Sequence, residues 1–325
     1  MSNNRVPVYI PAGHHRYHPP ENCPETPERI TLIAGALEKS GLAVLFKSEA
    51  DEIPSLTELH SSEYLSFLKS LESLSSANEW KDHHYHHLDP SMNPFIKDSS
   101  VYPFPSIWRT ALSSANTVVD AVKTVRKSSS QFAFALARPP GHHAGRSKMG
   151  GFCYLANSAL AVILLRKSGR IAVLDLDFHH GDGTQELFYT DPDVLTISIH
   201  GDPRKHYPFT SGFETEKGEG KGYGTNRNFI LLDNVFGKEY CSVLEDALAS
   251  IRTFAPAALV VSLGFDTFHR DPLGSFSLDH EDYSVIASRI ARLHLPTIAV
   301  LEGGYHDELG QAATSWVSGF LSGRQ

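Results

Sequence analysis

Residues 171–183 combine the pattern of a buried strand with side chains that bind metal ions. The segment reads IAVLDLDFHHGDG, an apolar run rich in β-branched residues that ends in carboxylates, imidazoles and glycines. Asp175, Asp177 and His179 are spaced two residues apart, so an extended chain places all three on one side. Ligands of open α/β sheets bind at the carboxyl ends of the strands. The segment therefore predicts both the position of an active site and a metal-dependent chemistry.

Three further segments that are predicted to be strands end in comparable groups. The four endings are Gly141-His142-His143, Asp177-Phe178-His179, Gly264-Phe265-Asp266 and Glu302-Gly303-Gly304-Tyr305. Strands of a parallel sheet end at the same edge, so groups that are distant in sequence converge there.

The converging groups cover the roles that metal-assisted hydrolysis requires. Two carboxylates and one imidazole suit a divalent metal ion with an open position, and such an ion lowers the pKa of a bound water toward about 7. His142 or His143 is available as a general base. Tyr305, on a Gly-Gly stem, can donate a hydrogen bond to a developing oxyanion.

Each of these endings taken alone has a simpler interpretation. A His-His pair is commonly a loop feature, an aspartate after a strand is often a helix N-cap, and two glycines usually form a turn. Four such endings on parallel strands favour a functional site. The histidine-rich residues 83–87 have no strand context and are predicted to be a solvated loop, and residues 218–224 lack the context of a dinucleotide site.

Strand and helix patterns alternate along the chain, which predicts an α/β fold. Apolar runs predict strands at 6–10, 131–137, 170–176, 194–199, 228–232, 257–263 and 297–301. Helical periodicity predicts helices at 28–39, 55–75, 106–126, 155–167, 238–253 and 281–293, and residues 78–105 are predicted to be a long loop. This order predicts a mainly parallel sheet covered on both faces. With no repeat or linker, we expect one domain over residues 1–325.

Composition restricts the partners and the compartment. The 325 residues carry a formal net charge of −8, which argues against a nucleic-acid partner and favours a cationic substrate. The three cysteines form no CxxC pair, which fits a reducing compartment. The first residues show no apolar signal segment, and no apolar run is long enough to cross a membrane. We therefore expect a cytoplasmic protein with no membrane partner.

Five motifs in this order resemble the zinc-dependent histone deacetylase superfamily. They are residues 138–144 (RPPGHHA), 150–154 (GGFCY), 175–185 (DLDFHHGDGTQ), 264–266 (GFD) and 302–305 (EGGY). Within the superfamily, residues 198–203 and 262–268 are most similar to bacterial acetylpolyamine amidohydrolases, with class II-like deacetylases as close relatives. The resemblance implies an arginase-like three-layer α/β fold with a central, mainly parallel sheet of about eight strands.

The resemblance also implies a role for each site residue. One catalytic zinc ion would be bound by Asp177, His179 and Asp266. His143 would be the general base and acid, His142 its electrostatic partner, Asp175 and Asp182 the carboxylates paired with these imidazoles, and Tyr305 the group that polarises the substrate carbonyl. One or two structural potassium ions are implied, the first bound by Asp175, Ser198 and main-chain carbonyls that include Ile199. Gly151, Phe152 and Tyr207 would line the substrate tunnel, and Glu21 is the candidate rim carboxylate.

Two positions depart from the common pattern of the superfamily. Tyr207 stands where a tunnel phenylalanine is common, and Leu273 stands where eukaryotic polyamine deacetylases carry a glutamate. The implied reaction is removal of acetyl from a small cationic acetylated amine of the N-acetylputrescine or N-acetylcadaverine type, and the resemblance also allows a homodimer. Acetyl-lysine in proteins is the alternative substrate.

Two other functional classes fit the sequence less well than a deacetylase. A binuclear ureohydrolase of the arginase type would need metal ligands where this chain has Gly181 and Phe268. A binding module built on an inactive deacetylase would be expected to lack the tyrosine, a ligand or a histidine, and all of these are present. Both classes are therefore disfavoured.

Overall fold

A single sheet of eight parallel strands forms the centre of the computed structural model. The structure describes residues 5–17, 19, 22–73, 93–101, 106–127 and 131–325. In chain order the strands are β1 Val6–Pro11, β2 Ala43–Ser48, β3 Phe132–Ala135, β4 Ile171–Asp175, β5 Val194–Gly201, β6 Asn226–Leu231, β7 Ala258–Leu263 and β8 Thr297–Leu301. Their order across the sheet is β2-β1-β3-β8-β7-β4-β5-β6.

The four strands whose ends carry the candidate chemistry are neighbours in the middle of this sheet. β3 pairs with β8, β8 with β7, and β7 with β4, all in parallel. In chain order β5 and β6 separate β3 and β4 from β7 and β8, and the crossovers between the strands bring the four carboxyl ends together. All side chains of the four strands are buried, as expected for parallel strands that are covered on both faces.

Helices cover both faces of the sheet. The described α-helices are α1 Glu28–Lys39, α2 Leu56–Leu59, α3 Ser62–Ser70, α4 Ile107–Lys127, α5 Asn157–Leu165, α6 Asp182–Phe188, α7 Gly237–Phe254, α8 His280–Ala291 and α9 Leu309–Gly323. One apolar layer packs α1, α7, α8 and α9 against residues such as Phe134 and Leu174. The other packs α3, α4 and α5 against Ala133 and Val173, the adjacent positions of the same strands. Side chains that alternate between two covered faces give the three-layer fold that the sequence predicted.

Four details differ from the sequence prediction. The edge strand β2 was missed, because only Ala43 and Ser48 of its six residues are buried. The short α6 was missed since it begins inside the glycine- and aspartate-rich motif. The carboxyl-terminal α9 was missed because its glycines and serines weaken the helical pattern. The predicted helix 55–75 is interrupted at His60, which has extended backbone angles.

The predicted loop 78–105 is described only in part. Of these residues, 93–101 are described, and Ile96 forms an isolated bridge with Met149. The histidine-rich residues 83–87 lie outside the described residues. Within the described parts of the chain, no helix has the length and apolar character needed to cross a membrane.

Candidate active site

Asp177, His179 and Asp266 form a cluster with the geometry of a metal site. One ligand atom from each side chain lies within 4.8 Å of the others. His179 Nδ1 lies 3.0 Å from Asp266 Oδ2 and 3.3 Å from Asp177 Oδ1. Both carboxylates are completely buried, whereas His179 is partly exposed to the cavity described below. The loop after β4 supplies the first two residues, and the loop after β7 supplies the third.

The electrostatics of this cluster favour a cation. Burial and the neighbouring Asp177 carboxylate raise the pKa of Asp266 to about 7. Burial lowers the pKa of His179, but its hydrogen bonds to the two carboxylates outweigh burial and raise it to about 9. Both shifts arise because the buried carboxylates carry negative charge that no nearby positive charge in the described part of the chain balances. A divalent ion would supply that positive charge. The donor set of two carboxylates and one imidazole therefore fits a metal ion such as zinc.

Two histidine–aspartate pairs lie beside the cluster. His142 Nδ1 is 3.0 Å from Asp175 Oδ2, and His143 Nδ1 is 2.7 Å from Asp182 Oδ1. The two imidazole rings are 3.9 Å apart between centroids. A carboxylate at Nδ1 fixes the ring orientation and directs Nε2 away from it, which leaves Nε2 available for proton transfer.

The two imidazoles are in different electrostatic environments. Burial lowers the pKa of His142, but the carboxylates of Asp177, Asp175 and Glu302 together raise it well above its usual value. Burial and the neighbouring His142 lower the pKa of His143 to about 3, although Asp182 opposes this shift. Groups whose environments separate their pKa values are typical acid and base partners. His143 is therefore neutral near pH 7, the form that a general base requires.

Glu302 fixes the loop that carries both histidines, a role that the sequence did not predict. Its Oε2 accepts hydrogen bonds from the backbone N–H groups of Gly141 (2.7 Å) and His142 (3.0 Å). Its Oε1 accepts a hydrogen bond from the Ser158 hydroxyl at 2.9 Å. Glu302, directly after β8, therefore positions the histidine loop that follows β3.

The Tyr305 loop is held from behind by buried charged groups. The Arg29 side chain donates to the carbonyl oxygens of Glu302 and, at 2.6 Å, Gly304. The guanidinium carbon lies 4.8 Å from the centroid of the Tyr305 ring. The Tyr305 backbone N–H donates to Asp271 Oδ2 at 2.6 Å. Burial raises the pKa of Tyr305 well above its usual value although Arg29 lowers it, so the phenol stays protonated and able to donate.

A cavity of about 310 Å³ leads to these groups. The groups described above that line it are His142, His143, Asp177, His179 and Tyr305. The predicted tunnel residues Gly151, Phe152 and Tyr207 line it as well. The Tyr207 hydroxyl donates to Asp98 Oδ2 at 2.7 Å, so it is part of the wall. Leu273, which is 37 % exposed, lies on the same wall. A larger cleft of about 470 Å³, at the ends of β1 and β2, contains none of the predicted site residues.

The remaining predicted residues have different outcomes. Asp175 and Ser198 are register partners of β4 and β5, so the residues predicted to bind potassium are adjacent. The Ser198 hydroxyl is also 2.8 Å from His200 Nδ1. Ile199 is buried in β5. Glu21 lies outside the described residues, and its rim role stays a prediction.

The positions that would carry additional arginase-type ligands cannot do so. A Cβ atom at Gly181 would lie 2.2 Å from Asp175 Oδ2, so no larger residue fits there. Phe268 is buried and stacks on His306 at 4.3 Å between ring centroids. Neither position therefore offers the additional ligand that an arginase-type binuclear site would need.

Comparisons with known proteins agree with this geometry. The chain matches the family described as "Histone deacetylase domain" over residues 23–320. The chain belongs to this family. It is 36% identical to acetylpolyamine amidohydrolase 1 of Pseudomonas aeruginosa, over 92% of this chain and 91% of that protein. It is 38% identical to the acetylpolyamine amidohydrolase of Burkholderia pseudomallei, over 91% of each.

Two solved structures share the fold. The crystal structure of acetylpolyamine aminohydrolase from Burkholderia pseudomallei superposes with a TM-score of 0.88 at 34% identity, over 97% of this chain and 98% of that one. The HDA15 HD domain superposes with a TM-score of 0.86 at 26% identity, over 99% and 89%. These matches confirm the predicted fold, family and deacetylase class.

Several residues near the site were missed by sequence reasoning. Arg29 and Arg138 both contact the buried carboxylate Glu25, at 3.1 and 2.9 Å. Lys97 pairs with Asp182 beside His143, and Asp98 accepts a hydrogen bond from the Tyr207 hydroxyl. Glu25 and Arg29 lie before the motifs, and Arg138 opens the first motif but was given no role. Lys97 and Asp98 fall in the segment predicted to be a long loop. A buried charge in such a segment carries no periodic signal, and only the fold reveals its partner.

Proposed function

We propose that this deacetylase-family chain is a zinc-dependent amidohydrolase that removes acetyl groups from N-acetylated polyamines. The observation that carries the proposal is one arrangement: a triad of two carboxylates and an imidazole, two His–Asp pairs and Tyr305 around a cavity of about 310 Å³. The relatives named for acetylpolyamines support the substrate class.

Asp177, His179 and Asp266 would hold the zinc ion. When bound, the ion supplies a Lewis acid that polarises the amide carbonyl and activates water for attack. The Gly264 and Gly303 positions keep the carboxylates accessible, because a Cβ atom at either residue would lie within 2.5 Å of a carboxylate oxygen. We also propose that a structural potassium ion binds at Asp175, Ser198 and the main-chain carbonyl of Ile199.

The residues of the chain move the protons. His143, neutral and oriented by Asp182, accepts a proton from the attacking water as the new C–O bond forms. The Tyr305 hydroxyl donates to the carbonyl oxygen as negative charge develops there. An imidazolium of the His142–His143 pair then protonates the amine nitrogen as the C–N bond breaks. Acetate and a free amine result.

Asp98 is the candidate partner for the cationic end of the substrate. Among the described residues that line the cavity, it is the one carboxylate outside the metal cluster. Its oxygens are held by Tyr207 and by the Ser100 N–H at 2.9 Å, so the charge has a fixed place in the wall. A carboxylate at a fixed distance from the reacting carbonyl suits a short diamine.

Acetyl-lysine in a protein is the second candidate substrate. The match to the family described as "Histone deacetylase domain" favours it. We also propose a cytoplasmic location and a single domain over residues 1–325. The proposed assembly is a homodimer, with no nucleic-acid partner.

Metal content tests the site assignment. Asp177→Asn and His179→Ala should each remove zinc, measured by elemental analysis of protein purified with zinc. Asp307→Asn, which changes an exposed aspartate near the site, should retain it. Full zinc occupancy in Asp177→Asn would refute the ligand assignment.

Charge discrimination tests the substrate class. The zinc-loaded enzyme should hydrolyse N-acetylputrescine in preference to N-butylacetamide, which has no ammonium group. Asp98→Asn should reduce this preference mainly through KM for the diamine. Equal kcat/KM for the two amides in the wild type would contradict a polyamine substrate.

A further inference from the structure

Asp182 and Asp175 are held in different ways, although both pair with a catalytic imidazole. The second oxygen of Asp175 accepts a hydrogen bond from the Asp177 backbone N–H at 3.1 Å. The second oxygen of Asp182 lies 2.5 Å from Lys97 Nζ. In the described part of the chain, no other donor contacts that oxygen. The orientation of the carboxylate behind His143 therefore depends on one lysine.

Lys97 is placed there by the backbone and by packing. Its N–H donates to the Met149 carbonyl at 2.8 Å, and the Met149 N–H donates to the Phe95 carbonyl at 2.8 Å. The buried Ile96 side chain fixes the same segment. Gly150 allows the close approach, because a Cβ atom there would lie 2.9 Å from Lys97 Cβ. The segment is thus docked onto the loop that follows the catalytic histidines.

The ammonium group also contacts the Tyr207 ring, another neighbour of His143. Lys97 Nζ lies 4.7 Å from the centroid of the Tyr207 ring, within cation–π range. That ring meets the His143 ring edge-to-face at 4.8 Å. Lys97 therefore touches two of the groups that confine the His143 ring, the Asp182 carboxylate and the Tyr207 ring.

The ion pair is shielded from water. The side chains of Lys97 and Asp182 are 18% and 8% exposed. A shielded, charge-assisted hydrogen bond holds its geometry far better than a surface pair does. The chain offers such a surface pair nearby: Lys148 Nζ lies 2.6 Å from Glu186, also on α6, and both side chains are 38% exposed.

We propose that Lys97 is a positioning residue for the Asp182–His143 pair, an inference that rests on the proposed function of His143 as general base. Lys97 fixes the Asp182 carboxylate, and the carboxylate fixes the His143 ring with Nε2 toward the cavity. The neighbouring Asp98 lines the cavity and, in the proposed function, binds the cationic end of the substrate. Two successive residues of one segment thus serve separate steps, proton transfer and substrate binding.

Steady-state kinetics on N-acetylputrescine separate these roles. Lys97→Met should lower kcat by roughly 10- to 100-fold with KM little changed, as for loss of an outer partner of a catalytic group. Lys97→Arg, which keeps the charge, should recover part of kcat. Lys148→Met, the matched control, should stay within about twofold of wild type. A Lys97→Met enzyme with the kcat of Lys148→Met would overturn the inference.

Nuclear magnetic resonance provides a readout that does not need turnover. In protein labelled with ¹⁵N-histidine, the Nδ1 proton of His143 should give a protected signal, assigned by its loss in His143→Gln. Lys97→Met should broaden or remove the signal, and Lys148→Met should not. An unchanged signal in Lys97→Met would refute the positioning role even if the proposed substrate were wrong. Absence of deacetylation by the wild type, with the signal still dependent on Lys97, would instead contradict the proposed function alone.

Discussion

At the scale of single residues, the environment of Tyr305 suits its proposed role as a hydrogen-bond donor to the oxyanion. Its phenol is protonated near pH 7, since burial raises its pKa, and the Arg29 contact and the Asp271 hydrogen bond hold its loop. Tyr305→Phe removes the hydroxyl and leaves the ring packing intact. We expect kcat to fall by roughly 10²-fold or more, as for loss of an oxyanion donor, with zinc content unchanged.

Steady-state kinetics and elemental analysis check this expectation. Tyr223→Phe is a suitable control because Tyr223 is 71% exposed and does not line the cavity. Turnover of Tyr305→Phe at the wild-type rate would remove Tyr305 from the mechanism.

Residues with chemical character at strand ends could be predicted from the sequence, and their supports could not. Asp177 and Asp266 come two and three residues after β4 and β7, and His142 and His143 follow the loop after β3, so position and type together point to a site. Lys97 reaches the same site from a segment with no periodic pattern. Its role depends on a backbone bridge to Met149, a contact between residues about fifty positions apart that no local pattern specifies.

At the scale of elements, the strand ends must approach each other closely. At Gly264, directly after β7, an added Cβ atom would lie 2.3 Å from Asp177 Oδ2 and 2.7 Å from Asp177 Cα. Gly264→Ala should therefore displace the end of β4 and weaken zinc binding roughly tenfold or more, because ligand orientation determines affinity. Competition with a chelator measures the affinity.

A glycine in open space provides the control. Gly35 lies in α1, is exposed, and has no heavy atom within 4 Å of an added Cβ atom. Gly35→Ala should leave zinc affinity unchanged and stabilise the fold by roughly 0.5–1 kcal/mol. Equal zinc affinities for the two variants would contradict the close approach at Gly264.

The junction between α2 and α3 should make stability depend on pH. His60 is buried; its Nδ1 lies 2.9 Å from the Gly145 carbonyl oxygen, and its Nε2 accepts from the Ala156 N–H at 3.1 Å. Burial lowers its pKa to about 4 from 6.5. Between these values the unfolded chain binds the proton more tightly, so the stabilisation present above pH 6.5 is lost as the pH falls toward 4.

The free energy of unfolding at pH 7 and pH 5 tests this dependence. The His60 contribution to the decrease should be roughly 2 kcal/mol, so His60→Gln should show a smaller decrease than wild type. His15→Gln, at an exposed position, should decrease as wild type does. Identical decreases in wild type and His60→Gln would exclude His60 as the source.

At the scale of the whole molecule, strand order converts scattered motifs into one site. The sequence predicted seven of the eight strands and their parallel direction, because buried parallel strands are continuous apolar runs. It did not predict that β3, β8, β7 and β4 are adjacent, since that order depends on crossovers between distant elements. Adjacency is what places Glu302 against the His142 loop and Asp266 against His179.

The most direct test of the account is kcat/KM of the zinc-loaded protein on N-acetylputrescine, N-acetylcadaverine and an acetyl-lysine peptide, measured side by side. The account predicts hydrolysis of all three to some degree, with a preference for the diamines that Asp98→Asn diminishes. A preference for the peptide that is unaffected by Asp98→Asn would contradict the polyamine assignment and identify a protein deacetylase.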